Sequence, residues 1–325
     1  LWADSGHEIA FGQKVVRQVA LEERLPEGSL EVINGKYNIG VRGKAFDVLF
    51  SIKDGGMVSY RYGNKEMLKA MPKPNFWRAP TDNDIGANML GKYSVWRSAS
   101  YNMGHKHFGL PGETDREARS NPSLDVEEQR VTVTYYYDLQ TKPYSEVEVK
   151  YQVYADGSID THLVYEPVAE LSDMPEFGFI FKMDADYENI EWYGNGPCET
   201  YEDRKKGAKL GIYANQVEDN MAKYLVPQEC GNKTEVRWAK VTDLRGKGLM
   251  FRAESMNFSA LPYTPHELEN ATHSYELPSI HNTFVRVSKA QMGIGGDDSW
   301  GSPAHPEYLI DVSGKLVFSF TFKGI

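Results

Sequence analysis

Carboxylates set close together can act as general acid and base, and two such groups occur here. Asp82-Asn83-Asp84 is followed by Gly86, and Asp297-Asp298 is followed by Trp300. Neighbouring residues on an extended chain point to opposite sides, so Asp297 and Asp298 are not expected to flank one scissile bond. Asp82-Asn83-Asp84-Ile85-Gly86 has the opening of a calcium loop but lacks its later ligands and closing bidentate glutamate. Its side chains are expected to bond nearby backbone amides and fix a long loop, with Arg78 supplying charge-assisted bonds to Asp82 or Asp84. Gly293-Ile294-Gly295-Gly296 is a poor phosphate cradle, because an acidic pair follows it and no helix is predicted there. Its glycines are expected to allow close backbone approach and positive φ ahead of Trp300. A flat indole matches the apolar C–H face of a sugar, which makes Trp300 a candidate contact, although composition by itself favours a buried ring. Trp77, Trp96, Trp192 and Trp238 are assigned to core or loop packing. His105 and His107 alternate on a strand-like stretch without an evident third ligand, so zinc is not expected. Cys198 and Cys230 lack metal-ligand spacing and are expected to be buried or partly buried free thiols.

The elements that must position these residues read as strands. Val131, Val133 and Tyr135 alternate with threonines; Val147, Val149, Tyr151 and Val153 alternate with polar residues; Leu316, Phe318, Phe320 and Phe322 repeat with period two. That pattern predicts sheets with one buried face. Turn residues punctuate it at Asp54-Gly55-Gly56, Asp156-Gly157-Ser158, Arg245-Gly246-Lys247-Gly248 and Ser313-Gly314. One short helix is predicted over Asp84 to Ser98, with Met89, Tyr93 and Trp96 at helical spacing. The predicted fold class is all-β, a large antiparallel β-sandwich with long aromatic-rich connections. A boundary is placed near Leu25-Pro26-Glu27-Gly28. Residues 1–27 are then the tail of a preceding domain plus linker, with an alternating strand around Glu8 to Val16, and residues 28–325 form the sandwich. The opening lacks an initiator Met, a basic segment and a cleavage site, which suggests that a longer polypeptide precedes it.

Hydrophobic residues make up 41% of the chain and charged residues 25%, enough to bury a core. The formal net charge of −10 argues against a phosphate-backbone partner, and no apolar run approaches the ~20 residues of a membrane span. Neither nucleic acid nor membrane is expected as a partner. Three Asn-X-Ser/Thr triplets, at Asn232, Asn257 and Asn270, would matter only in a secreted eukaryotic protein.

Three long polar segments carry a resemblance: residues 75–86 (NFWRAPTDNDIG), 192–204 (WYGNGPCETYEDR) and 291–300 (QMGIGGDDSW). They resemble the signature stretches FxRAPxDNDxG, WxGxGPxExYxDR and MGxGGDDSW of the C-terminal sandwich domain of glycoside hydrolase family 2 β-galactosidases. Trp2 to Ala10 resembles the last strand of the immunoglobulin-like domain before it, so the likeness runs from end to end. Trp77 departs from it, standing where relatives often have Thr.

The resemblance implies a galactose mutarotase-like supersandwich in which Trp300 reaches the active site and packs on the sugar. Asp82, Asn83, Asp84, Gly86, Asp297 and Asp298 become candidates for loops beside the pocket, and the stretch after Gly86 a candidate mobile loop. The enzymes it resembles cleave terminal β-linked galactose from lactose-type substrates with retention. They use two glutamates on a (β/α)₈ barrel that also binds Mg²⁺ and Na⁺. Such a barrel takes roughly 250 residues of alternating strands and helices, a pattern absent here. No catalytic residue, metal or cofactor is therefore assigned to this chain, and it is expected to be inert alone. The expected partners are the rest of the polypeptide or a large subunit, a β-galactoside and further copies in a homo-oligomer. A bacterial cytoplasmic location is expected, or a periplasmic one. An excised fragment and a natural small subunit both fit. The rivals are a stand-alone aldose mutarotase-like epimerase, which needs a positioned His and a carboxylate, and a non-catalytic carbohydrate-binding domain.

Overall fold

The computed structural model describes residues 2–17, 26–105, 121–298 and 300–325. Five strands, β1 (Glu31–Asn34), β2 (Asn38–Arg42), β3 (Phe46–Ser51), β4 (Gly56–Tyr62) and β5 (Lys65–Glu66), form one sheet in sequence order. A second sheet holds β6 (Ala70–Asn75), β7 (Ser123–Val126), β8 (Arg130–Asp138), β9 (Glu146–Tyr154), β10 (Ile159–Tyr165) and β11 (Glu176–Asp184). It continues with β12 (Asn189–Gly196), β13 (Lys209–Gln216), β14 (Lys233–Thr242), β15 (Gly248–Leu261), β16 (Asn282–Gln291) and β17 (Leu316–Gly324). Its path runs β13-β12-β14-β15-β17-β10-β9-β8-β7, and β16 leaves it at β15 to carry β11 and β6. The pairings are antiparallel throughout. The all-β antiparallel architecture expected from the period-two pattern is the one observed.

The alternation has a direct physical outcome. Val131, Val133, Tyr135 and Tyr137 of β8, the matching set on β9, and Leu316, Phe318, Phe320 and Phe322 of β17 are all buried on one face. There they join a core in which Phe181 meets Phe251 and Phe322, each at 5.1 Å between ring centroids. Burying rings of this size is worth roughly 1.5–3 kcal/mol each. The five-stranded sheet adds Ile39, Val41, Val48 and Phe50 to the same core. Tyrosines join the two sheets. Tyr60 Oη donates to Gly157 O at 2.7 Å and accepts from Gly324 N at 2.8 Å, while Tyr137 Oη donates to Gly55 O at 2.6 Å. These hydroxyls are buried with partners and escape the cost of an orphaned polar group. Gly157 turns the chain from β9 to β10 at φ +85°, in the Asp-Gly-Ser turn expected there.

Three sequence expectations change. The helix predicted over Asp84 to Ser98 is two helices, α1 (Asp82–Gly86) and α2 (Met89–Asn102), separated at Asn88, which takes a left-handed φ of 59°. The stretch after Gly86 is consequently helix and not loop, because Met89, Trp96 and Ala99 form a buried stripe and Trp96 Nε1 donates to Ser172 O at 2.9 Å. Residues Glu8 to Val16 are not a strand. Ile9, Val15 and Val16 face solvent, with no apolar face to meet, and the segment lies beside β13 through side-chain bonds. Gln13 takes both polar groups of Leu210, at 2.8 and 2.7 Å, and Glu8 pairs with Lys209. Leu25, at the expected boundary, lies outside the described residues. Among the described residues no helix is long and apolar enough to cross a membrane.

Candidate functional site

The site grows from Arg78, whose guanidinium is fully buried. It forms a bidentate pair with Asp84, with Nη2 at 3.1 Å from Oδ1, and Nη2 also donates to Gly293 O at 3.0 Å. Burial works against the Arg78 charge, but Asp84 more than compensates and holds the guanidinium above its ordinary value. Asp84 is fixed in turn by α1. Thr81 caps that helix, and the Asp84 carboxylate accepts from Thr81 N at 2.8 Å and Oγ1 at 2.9 Å. Of the two partners considered for Arg78, Asp84 is the one observed. Asp82 is exposed and exchanges bonds with Gln228 instead, both at 3.1 Å. Asn83 Nδ2 reaches Ile294 O at 3.5 Å.

The second and third polar segments converge on the same place. In the third, Gly293 N donates to Tyr308 O at 2.8 Å and Gly295 N to Asp203 Oδ2 at 2.7 Å. Asp298 Oδ1 accepts from Trp300 N at 2.8 Å and Ser302 N at 3.4 Å, while Asp297 Oδ1 lies 2.8 Å from His305 Nε2. Asp297 beside His305 raises the imidazole pKa. The two carboxylates therefore have separate structural partners. Positive φ occurs at Gly301 (+123°) and not at Gly293, Gly295 or Gly296, which corrects the expectation for those three. Their part is close approach alone: a Cβ on Gly296 would sit 2.1 Å from Ser302 O. A Cβ on Gly301 would meet Gly86 O at 3.1 Å, so the bend carrying Trp300 lies against the end of α1.

Trp300 is 91% exposed, whereas Trp77, Trp96 and Trp192 are buried and Trp238 is half-buried. At the end of β16, where the third segment begins, lies an ionic cluster that no motif announced. Arg286 lies between Glu176, at 2.9 Å, and Glu229, and all three are buried. Asn75 Nδ2 and Gln291 Nε2, from the first and third segments, both donate to Glu176, at 2.8 and 3.3 Å.

One histidine–carboxylate pair is also brought together. On α3 (Pro265–Asn270), His266 Nδ1 lies 2.8 Å from Glu269. Glu269 further accepts from Trp77 Nε1 at 2.8 Å and Arg97 Nε at 2.6 Å. Burial raises its pKa, but His266, Trp77 and Arg97 together hold it below the ordinary value. A carboxylate saturated with donors is a poor proton acceptor, so this pair is structural. His107 lies outside the described residues. Cys230 is buried, and burial pushes its thiol up to about 12. Cys198 is exposed, contrary to expectation, because it sits on the turn leaving β12. Among the described residues no three His, Cys, Asp or Glu side chains gather as a metal site would require.

Fold and site together define a large antiparallel β domain that carries an exposed tryptophan on a loop held by Arg78 and Asp203. The sequence profile of the β-galactosidase small chain matches residues 42–322. The chain is 42% identical to a β-galactosidase of Halalkalibacterium halodurans over all of its own length, which is 31% of that relative's. It is 37% identical to a β-galactosidase small subunit of Latilactobacillus sakei, covering 90% of this chain and 96% of that one. This chain belongs to the β-galactosidase small-chain family. A galactose 1-epimerase of Lactobacillus acidophilus overlaps 92% of this chain and 99% of its own, at 8% identity and a TM-score of 0.46. No function is drawn from that overlap.

Proposed function

We propose that this chain completes the galactoside pocket of a β-galactosidase and that Trp300 stacks on the sugar. The observation that carries the reading is the 91% exposed indole on a loop tied down at Gly293 and Gly295. A large ring held out in water by buried anchors is a contact surface and not a core element. Hydrolysis with retention needs two carboxyl groups about 5–5.5 Å apart. In this reading both glutamates stand on the rest of the enzyme, together with the magnesium and sodium ions expected of the enzymes it resembles. Asp297 and Asp298 do not take that role, since each serves the loop backbone or His305.

The test is Trp300→Ala in the intact enzyme that contains this chain. Losing the ring should raise KM for a β-galactoside about tenfold, leave kcat within roughly twofold, and leave the melting temperature unchanged. An unchanged KM removes the reading. The chain purified by itself is expected to give no turnover of a chromogenic galactoside, and measurable turnover without another chain would contradict that assignment.

A further inference from the structure

The second polar segment holds an acidic residue that the proposed function leaves unused. Asp203 sits in the turn closed by reciprocal backbone bonds between Tyr201 and Arg204, at 3.2 and 2.9 Å. Its Oδ2 accepts from Gly295 N at 2.7 Å, joining positions 92 residues apart. The surrounding space is matched to that carboxylate. A Cβ on Gly293 would sit 2.6 Å from Asp203 Oδ2 and 2.9 Å from Tyr308 Cβ, and one on Gly295 would sit 3.3 Å from the same oxygen. The glycines of the third segment thus form a concave stretch of backbone that only hydrogen side chains leave open, and Asp203 fills it.

Stability alone is a weak explanation for this residue. Its other oxygen, Oδ1, is buried without a hydrogen-bond partner among the described residues. An orphaned buried acceptor costs free energy, which offsets what the bond to Gly295 contributes. The bond ties the backbone at Gly295, five residues before Trp300, to the turn at Tyr201–Arg204.

We infer that Asp203 is a positioning residue for the Trp300 loop. It acts through the Gly295 amide and not by touching the sugar, and this inference rests on the sugar-contact reading of Trp300. Arg78 holds the same loop through Gly293 O, so the ring is carried on a stretch clamped at two points. Without the Asp203 clamp the loop samples more positions, and the sugar must order it on binding.

The test uses the intact β-galactosidase containing this chain. Asp203→Ala should raise KM about five- to tenfold with kcat within roughly twofold, and Asp203→Asn, whose side-chain carbonyl can still accept from Gly295, should restore KM. Combined with Trp300→Ala, Asp203→Ala should add nothing further, since both act on one contact. Hydrogen–deuterium exchange of the peptide covering Gly293 to Asp298 gives a readout separate from activity. Exchange there should quicken in Asp203→Ala and not in Asp203→Asn, while strand peptides stay unchanged. Gly293→Ala, whose Cβ would displace the Asp203 carboxylate, provides a second perturbation and should quicken the same peptide. Unchanged exchange in this peptide overturns the inference. So does faster exchange throughout the domain with a lowered melting temperature, which marks a merely structural residue. If Trp300→Ala leaves KM unchanged, the sugar contact fails while the exchange result still decides whether Asp203 holds the loop. If Trp300→Ala raises KM and Asp203→Ala does not, the positioning role alone fails.

Discussion

Arg286→Met is expected to cost about 3–5 kcal/mol of folding stability at neutral pH, the usual penalty for leaving a buried charge without its partner. Two carboxylates are stranded by this change, because Arg286 lies between Glu176 and Glu229 and all three side chains are at most 4% exposed. Glu176 already feels the strain. Burial raises its pKa, Arg286 counters that, and the second carboxylate at Glu229 adds to the rise. Without the guanidinium, burial leaves the folded Glu176 carboxyl still further above the unfolded value of about 4.3. The destabilisation should therefore be complete well above that pH and should shrink as the pH falls toward it, since neutral carboxylic acids tolerate burial. Chemical denaturation at pH 7 and pH 5 measures both parts. The triple change Arg286→Met, Glu176→Gln, Glu229→Gln should recover most of the loss, because it removes the charges together. A single variant within about 1 kcal/mol of the parent would show that the two carboxylates do not depend on this guanidinium.

The second large effect concerns Lys233, an ammonium buried under Trp192 with its Nζ 5.2 Å from the ring. It donates to Asn220 Oδ1 at 3.0 Å and Gly231 O at 3.1 Å, neutral acceptors that do not replace a carboxylate. Burial lowers its pKa to about 8, and the attraction of Glu199 only partly offsets that. The sign follows from proton counting. The folded pKa lies below the unfolded value of 10.5, so between pH 8 and 10.5 the unfolded chain binds more protons. Stability is penalised in full below pH 8 and rises with pH across that window. A gap of this size corresponds to roughly 3 kcal/mol. Tyrosines such as Tyr60, raised well above the ordinary phenol value mainly by burial, oppose this at high pH, but a Lys233→Met variant shares them. The stability of the parent minus that of Lys233→Met should accordingly climb by about 3 kcal/mol from pH 8 to 10.5. A flat difference would mean that the ammonium is hydrated and not buried as the structure places it.

Much of this molecule was legible in the sequence, for reasons that are local. Side chains alternate along a strand whatever its partner, so Val131 to Tyr137 and Leu316 to Phe322 declared their buried faces in advance. The Arg78–Asp84 pair was also accessible, since both groups lie within one short loop and cap. Local rules overreached where an apolar face had nothing to meet: Glu8 to Val16 alternates like a strand but is held against β13 through the side chains of Glu8, Phe11 and Gln13. They also missed the break at Asn88, because helical spacing persists from Met89 onward and only the backbone shows the left-handed residue.

The sequence by itself determined the antiparallel all-β class and the three polar segments. The tertiary structure alone decided that these segments meet, that Arg286 gathers Glu176 and Glu229 from 110 and 57 residues away, and that Trp300, like Trp2, is left in water while Trp77, Trp96 and Trp192 are buried. Periodicity reports how each residue faces its own strand. Which strands become neighbours, and so which distant charges neutralise one another, depends on the packing of both sheets around a shared core.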